Sequence, residues 1–241
     1  MTGAGSTAAP SRHVLFDLDG TLTDSSRGIV NSIRYAIERF NGSTGAKLAM
    51  PDPRSLELMV GPPLRDSFSE LVGRADAERL LAHYRERYEP LGMFESAVFP
   101  GICAALDALV TRGFRLFVAT SKPEIYARRI LDHFELTRFF VAIHGAEAEG
   151  KRSGKGELIA YILARYAIDA RFAAMIGDRK HDAIGARSAG VWAIGALWGY
   201  GSREELSQAG ADPLLDAPGQ IPDALEEGFA RRAADALRSG R

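Results

Sequence analysis

The chain has 241 residues, of which 46% are hydrophobic and 25% charged. This composition is typical of a globular protein that buries its core without disulfides. With 30 Lys and Arg against 31 Asp and Glu, the formal net charge is −1, which argues against a nucleic acid polymer as partner. The single cysteine, Cys103, excludes an intrachain disulfide framework, and its apolar neighbours predict burial.

The first twelve residues are rich in small side chains and lack the apolar segment of a signal peptide. No apolar run elsewhere has the length of a transmembrane helix. We therefore expect a cytoplasmic protein with a loose N-terminal leader and no membrane partner.

The apolar run His13 to Phe16 ends at Asp and Gly and predicts a buried strand. Beyond Asp24 the apolar spacing changes to intervals of three and four, which predicts a helix. Its apolar positions are Ile29, Ile33, Ile37 and Phe40. Two more helical patterns follow a turn at Gly61-Pro62-Pro63. Residues 24–96 are therefore predicted to be a helical insertion.

From Pro100 onward, helical patterns alternate with short apolar runs at 115–119, 139–144, 172–176 and 191–194. This alternation predicts a parallel sheet with helices on both faces, because strands buried on both sides lack polar alternation. The predicted fold is a Rossmann-like, doubly wound α/β core of residues 1–23 and 97–241. A small helical cap domain, residues 24–96, is inserted into it.

Polar side chains follow several predicted strands, where ligands bind in doubly wound sheets. They are Asp17 and Asp19 after the first strand, Thr120, Ser121 and Lys122 after the second, and Asp178 and Asp182 near a later one. Crowded carboxylates repel one another unless a cation is present, and carboxylate oxygens suit Mg²⁺. The pattern predicts a magnesium site beside a bound phosphate.

Asp17 and Asp19 are two residues apart, so both side chains point to the same side of an extended segment. One can attack phosphorus while the other protonates the leaving oxygen. Thr120 and Lys155 could bind the phosphate. Each residue alone also has a structural explanation, such as a turn, a helix cap or a solvated lysine. Because all of them lie at the ends of predicted strands and helices, the set favours a functional site.

The four motifs together resemble those of the haloacid dehalogenase superfamily of phosphohydrolases. They are Phe16-Asp17-Leu18-Asp19-Gly20-Thr21-Leu22, Ala119-Thr120-Ser121-Lys122-Pro123, Ser153-Gly154-Lys155-Gly156-Glu157 and Gly177-Asp178-Arg179-Lys180-His181-Asp182. The helical insertion, with Gly61-Pro62-Pro63-Leu64 and Trp198-Gly199-Tyr200-Gly201, looks like the branch of phosphoglycolate phosphatases and bacterial 5′-nucleotidases.

The resemblance implies that Asp17 is the nucleophile and Asp19 the general acid and base. It implies Mg²⁺ held by Asp17, the backbone carbonyl of Asp19 and Asp178, with Asp182 acting directly or through water. Phosphate would be bound by Thr120, Ser121 and Lys155. One departure is Gly156, where many relatives have proline after the lysine, so Lys151 competes with Lys155 for this role.

Other functions on the same scaffold stay open. Dehalogenases of the superfamily lack a second acid at the position of Asp19, which favours phosphate chemistry. A phosphosugar mutase uses the same acid pair, and a non-catalytic binding module is the third alternative. The implied substrate is a small phosphorylated metabolite, 2-phosphoglycolate or a nucleoside 5′-monophosphate. Residues Gly61 to Arg65 are expected to face the site and help choose it.

Overall fold

A computed structural model describes residues 11–61, 63–146 and 154–239 of the chain. The strands are β1 His13–Phe16, β2 Thr23–Asp24, β3 Ala97–Val98, β4 Arg115–Pro123, β5 Phe140–Ala146, β6 Ala173–Gly177, β7 Trp192–Ala196 and β8 Leu214–Leu215. The helices are α1 Ser26–Thr44, α2 Pro53–Leu58, α3 Leu64–Val72, α4 Arg74–Tyr88, α5 Ile102–Thr111, α6 Glu124–His133, α7 Lys155–Arg165, α8 Lys180–Ser188, α9 Arg203–Ala209 and α10 Ile221–Ser239.

Six strands form one sheet in the order β5-β4-β1-β6-β7-β8, and every pairing within it is parallel. Successive side chains of β1 point to opposite faces: Val14 and Phe16 pack with α5, α6 and α10, whereas Leu15 packs with α7, α8 and α9. All three are fully buried, and each such burial contributes about 1.5–3 kcal/mol. The predicted doubly wound α/β fold is confirmed.

The helical segment leaves and rejoins the sheet through a short antiparallel ladder. Thr23 of β2 pairs with Val98 of β3, and Asp24 pairs with Ala97. Between these strands lie α1 to α4 and a 3₁₀ turn at Gly92–Phe94. Helix α2 begins where the Asp52 side chain accepts hydrogen bonds from the backbone N–H groups of the first turn. The domain boundaries at residues 24 and 96 stay a prediction.

Two local features differ from the expectations. Strand β4 continues to Pro123, with an irregular register against β5 after Ala119. Cys103 is exposed, because the core-facing positions of α5 are Ile102 and Leu106, four residues apart. Nowhere in the described ranges is a helix both long and apolar enough to cross a bilayer.

Candidate active site

The predicted site residues converge at the carboxyl edge of the central strands. Asp17 directly follows β1, and its backbone N–H donates to the Ile176 carbonyl of β6 at 3.0 Å. Asp178 directly follows β6, and Asp182 lies in the first turn of α8. The side chains of all three acids are buried. Parallel strands end on the same edge of a sheet, which is why Asp17 and Asp178, 161 positions apart along the chain, meet here.

We call Asp17, Asp178 and Asp182 the acid cluster, because one carboxylate oxygen from each lies within 4.8 Å of the others. The ammonium of Lys155, at the first position of α7, reaches into this cluster. Its Nζ lies 2.8 Å from Asp17 Oδ1 and 2.8 Å from Asp182 Oδ1. It also donates to the Ala119 carbonyl at 2.9 Å. Lys155 therefore links the cluster to the backbone of β4.

The acid cluster carries more negative charge than its lysine can balance. Three carboxylates facing one ammonium leave an excess of two negative charges. Burial, then Asp182 and Asp17, raise the pKa of Asp178 well above its ordinary value. Burial also raises the pKa of Asp182 to about 6, although Lys155 opposes the shift. A divalent cation would remove this excess, and an all-oxygen donor set is the one that Mg²⁺ prefers.

The position of Asp178 is fixed from two sides. Thr21 Oγ1 donates to its Oδ1 at 3.1 Å, and the backbone N–H of Tyr200 donates to its Oδ2 at 2.8 Å. Gly20 has φ +85°, and a Cβ there would collide with the Asp178 carboxylate. The glycine of the first motif is therefore required both by its backbone conformation and by this close approach.

Asp19 lies in a different environment from the acid cluster. Its Oδ2 is 2.9 Å from Lys122 Nζ, and that lysine side chain is only 6% exposed. Lys122 also donates to the Tyr88 hydroxyl of α4 at 2.6 Å. Asp19 Oδ1 is buried and has no hydrogen-bond partner within the described ranges. The predicted metal role of Asp19, through its backbone carbonyl, stays a prediction.

Lys122 and Tyr88 are the contacts that the sequence did not assign. Lys122 lies within the second motif, and the sequence leaves open whether it is a group near the substrate or a solvated lysine, while Tyr88 is one apolar position of a predicted helix. Burial opposes the charged ammonium, but Asp19 and Tyr88 outweigh it and raise the pKa of Lys122. Lys122 is therefore a buried cation with a dedicated partner, which no local sequence signal distinguishes.

The remaining predicted phosphate ligands lie at the same edge. Thr120 is 1% exposed, and its Oγ1 accepts a hydrogen bond from the Lys122 backbone at 3.2 Å. Ser121 is half-buried beside it. Lys155 lies at the acid cluster, whereas its predicted competitor, Lys151, falls outside the described residues. The phosphate-binding roles stay predictions.

Glycine after Lys155 has a local explanation. A Cβ at position 156 would lie 2.5 Å from Ser188 Oγ of α8, and one at Gly185 would lie 2.9 Å from Lys155 Cβ. The start of α7 thus packs closely against α8, and these small residues bring the Lys155 ammonium to the cluster.

A second contact between the sheet and the helical segment lies beyond the end of β6, which flanks β1 on the side opposite β4. Arg179, directly after Asp178, donates from its guanidinium to the Val60 carbonyl at 3.0 Å and pairs with Glu205 at 2.9 Å. Beside it lies a cavity of about 470 Å³. The cavity is lined by Asp24, Ser26, Arg54, Glu57, Leu58, Val60, Phe99, Arg179, Trp198, Gly199 and Tyr200. Arg65 lies elsewhere, exposed and paired with Glu78.

The sequence profile of the haloacid dehalogenase-like hydrolases matches residues 14–196, a range that contains every residue of the acid cluster. The chain belongs to this family. Among curated relatives, a 5′-nucleotidase of Pseudomonas aeruginosa is 45% identical over 196 residues, covering 80% of this chain and 86% of that protein.

Other proteins similar to this chain carry different names. The tyrosine-protein kinase PtkA of Mycobacterium tuberculosis is 38% identical, covering 85% of this chain and 68% of that protein. A phosphoglycolate phosphatase of Rhodospirillum rubrum is 31% identical, covering 93% and 94%. A crystal structure described as a predicted phosphatase from Clostridium acetobutylicum superposes with a TM-score of 0.83 at 40% identity, covering 91% and 100%. These phosphatase relatives are consistent with a phosphoric monoester hydrolase.

Proposed function

We propose that this family member is a magnesium-dependent phosphomonoester hydrolase that forms an aspartyl phosphate on Asp17. The observation that carries the proposal is the acid cluster itself: three buried carboxylates within 4.8 Å of one another, with Lys155 bridging two of them. Such a cluster is costly unless a dication neutralises it. Asp17, Asp178 and Asp182 would hold the ion, together with the carbonyl of Asp19.

The chain's own residues divide the reaction between them. Asp17 attacks phosphorus and forms a new P–O bond, while the bond to the leaving oxygen breaks and Asp19 supplies the proton that this oxygen takes up. Asp19 then removes a proton from the water that releases phosphate from Asp17. Thr120, Ser121 and Lys155 hold the phosphoryl oxygens. Bound Mg²⁺ would supply charge neutralisation between nucleophile and phosphate.

The substrate is proposed to be a small phosphorylated metabolite of the cytoplasm. The helical segment, residues 24–96, would act as the cap over a core of residues 1–23 and 97–241. The cavity beside Arg179 favours a nucleoside 5′-monophosphate over 2-phosphoglycolate, because its aromatic wall, Phe99, Trp198 and Tyr200, suits a flat base. Its volume falls within the usual range for ligand pockets, about 300–1,000 Å³.

The test of the reaction is phosphate release from p-nitrophenyl phosphate with and without Mg²⁺. We expect release that requires the ion, and a fall of at least about a thousandfold in Asp17→Asn. Rapid acid quenching followed by peptide mass spectrometry should locate the phosphoryl group on Asp17. Full turnover in Asp17→Asn, or a phosphoryl group on another residue, would refute the proposed mechanism.

The test of the substrate is a release screen over nucleoside 5′-monophosphates, 2-phosphoglycolate, sugar phosphates and phosphoamino acids. Two further assays address other activities on the same fold. Isomerisation of a sugar phosphate without phosphate release would favour a phosphosugar mutase. Transfer of phosphate from ATP to a tyrosine would favour the activity named in the PtkA relatives.

A further inference from the structure

Asp19 is linked to the helical segment through a single buried side chain. Lys122 Nζ lies 2.9 Å from Asp19 Oδ2 and donates to the Tyr88 hydroxyl at 2.6 Å. Lys122 belongs to β4 of the sheet, whereas Tyr88 is the last residue of α4. We call Asp19, Lys122 and Tyr88 the lysine bridge. Since its ends lie on different layers, the bridge is complete only when α4 is packed against the end of β4.

The lysine bridge makes the two carboxylate oxygens of Asp19 unequal. Oδ2 is held by the Lys122 ammonium, while Oδ1 is buried without a hydrogen-bond partner in the described part of the chain. Asp19 itself is only 8% exposed. A buried oxygen without a hydrogen-bond partner costs free energy. Its presence here indicates that a bound ligand forms the missing hydrogen bond. The leaving-group oxygen of a substrate is such a ligand.

Tyr88 is fixed by its own neighbours rather than by Lys122 alone. Its ring stacks on Tyr84, with centroids 4.9 Å apart, and meets Tyr126 of α6 edge-on at 5.7 Å. The Lys122 ammonium also lies 4.9 Å from the centre of the Tyr88 ring, which adds a cation–π attraction. A rigid tyrosine therefore fixes the flexible lysine, and the lysine in turn fixes Asp19.

We propose that Lys122 is a positioning residue that aims Asp19 Oδ1 at the leaving oxygen, and that Tyr88 makes this aim depend on docking of α4. The inference rests on the proposed function. As the bond from phosphorus to the leaving oxygen breaks, that oxygen keeps the electron pair and takes the proton from Asp19 Oδ1. Asp17 forms the new bond to phosphorus, and Lys122 remains an ammonium bound to Oδ2.

A purely structural role for Lys122 makes a different prediction. If the lysine only neutralised a buried charge, its loss would lower the rate with every substrate alike. If it aims Asp19, the loss depends on how much the leaving group needs a proton. An alkoxide needs one, whereas p-nitrophenolate leaves without it. The value of kcat/KM reports the step in which this group leaves.

The experiment measures kcat/KM for p-nitrophenyl phosphate and for whichever of adenosine 5′-monophosphate and 2-phosphoglycolate is turned over faster. Variants are Lys122→Met, Tyr88→Phe and the control Tyr126→Phe. Tyr126 also contacts Tyr88 and donates from α6 to Glu89 at the end of α4, so its loss removes a comparable link without touching Lys122.

With Lys122→Met we expect a loss of about 100-fold on the alkyl phosphate and less than about tenfold on p-nitrophenyl phosphate. Tyr88→Phe should shift the ratio of the two kcat/KM values in the same direction by about threefold to tenfold. Tyr126→Phe should leave that ratio unchanged. If Lys122→Met fails to fold, the comparison of Tyr88→Phe with Tyr126→Phe shows whether the lysine bridge positions Asp19.

If Lys122→Met loses the same factor in kcat/KM on both substrates while activity still depends on Asp17, the positioning role of the lysine bridge is overturned and the proposed function stands. An unchanged Lys122→Met, or an equal ratio shift in Tyr88→Phe and Tyr126→Phe, would do the same. Full activity in Asp17→Asn would instead overturn the proposed function, and the bridge with it. The two failures are therefore distinguishable.

Discussion

The two groups of acids at the sheet edge differ in how their charge is balanced. Asp19 has one lysine of its own, Lys122, at 2.9 Å. The acid cluster has one lysine, Lys155, which contacts two of its three carboxylates. The pKa of the third, Asp178, is raised mainly because burial disfavours its charged form. In the proposed mechanism the balanced Asp19 moves a proton, whereas the unbalanced acid cluster holds a cation. The same residue type would therefore serve two purposes within one site.

The largest expected effect is the loss of activity when metal is removed from the acid cluster. We expect chelation with EDTA to reduce phosphate release to background, and Mg²⁺ to restore it, because the excess negative charge otherwise repels the phosphate. In Asp178→Asn the Mg²⁺ concentration for half-maximal activity should rise at least about tenfold. Lys122→Met, on the balanced side, should leave that concentration unchanged. An unchanged requirement in Asp178→Asn would contradict a metal role for this residue.

Neutralising the balanced pair should damage proton transfer and leave metal binding intact. For Asp19→Asn we expect kcat/KM on an alkyl phosphate to fall by about 10²–10⁴-fold, with a smaller fall on p-nitrophenyl phosphate. Calorimetric titration with Mg²⁺ should give the wild-type affinity, since the asparagine keeps the backbone carbonyl. Loss of both properties would show that the two groups of acids are not separate.

The lysine of the acid cluster should matter more than its neighbour in sequence. In Lys155→Met we expect a loss of about 10²–10³-fold in kcat/KM, because the ammonium that meets both Asp17 and Asp182 is gone. Lys151→Met is the matched control and should retain activity within about twofold of wild type. The reverse outcome would transfer the phosphate role to Lys151.

A smaller effect, on substrate preference, is expected from substitutions in the cavity next to Arg179. Arg54 of α2 lines this cavity, whereas Arg65 is exposed and paired with Glu78. We expect Arg54→Ala to change the ratio of kcat/KM values across the phosphate panel by about threefold to tenfold, and Arg65→Ala to leave it unchanged. If only Arg65→Ala changed this ratio, the sequence-based prediction that Arg65 helps to choose the substrate would hold instead.

The smallest expected effect is on thermal stability, and it depends on pH. Burial raises the pKa of Asp182 from 3.8 to about 6, so its contribution to stability is fully present below pH 3.8 and is lost as pH rises through 6. Asparagine at this position does not titrate. Without metal, the Tm of Asp182→Asn relative to wild type should therefore rise by about 2–4 °C, or about 1 kcal/mol, between pH 4.5 and pH 7.5. Added Mg²⁺ should raise Tm more in wild type than in the variant.

Much of the site could be predicted because its residues occupy fixed places relative to local patterns. Asp17 follows an apolar run, and Asp178 follows another, so the ends of parallel strands bring them together whatever the intervening chain does. Lys155 was harder, since Lys151 has the same chemistry four residues earlier. Only the close packing of α7 on α8 at Gly156 and Gly185 shows what brings Lys155 to the cluster.

The sequence by itself determined the fold class, the helical insertion and the identity of the acids, because these depend on hydrophobic period and on residues close to strand ends. Tertiary structure alone decided which lysine serves which acid. Lys122 and Tyr88 are 34 positions apart and belong to different layers. Their partnership comes from packing α4 against β4, and no periodicity along the chain encodes that contact. Nor does any local pattern show that Asp19 has a lysine of its own while the three acids of the acid cluster have one lysine between them.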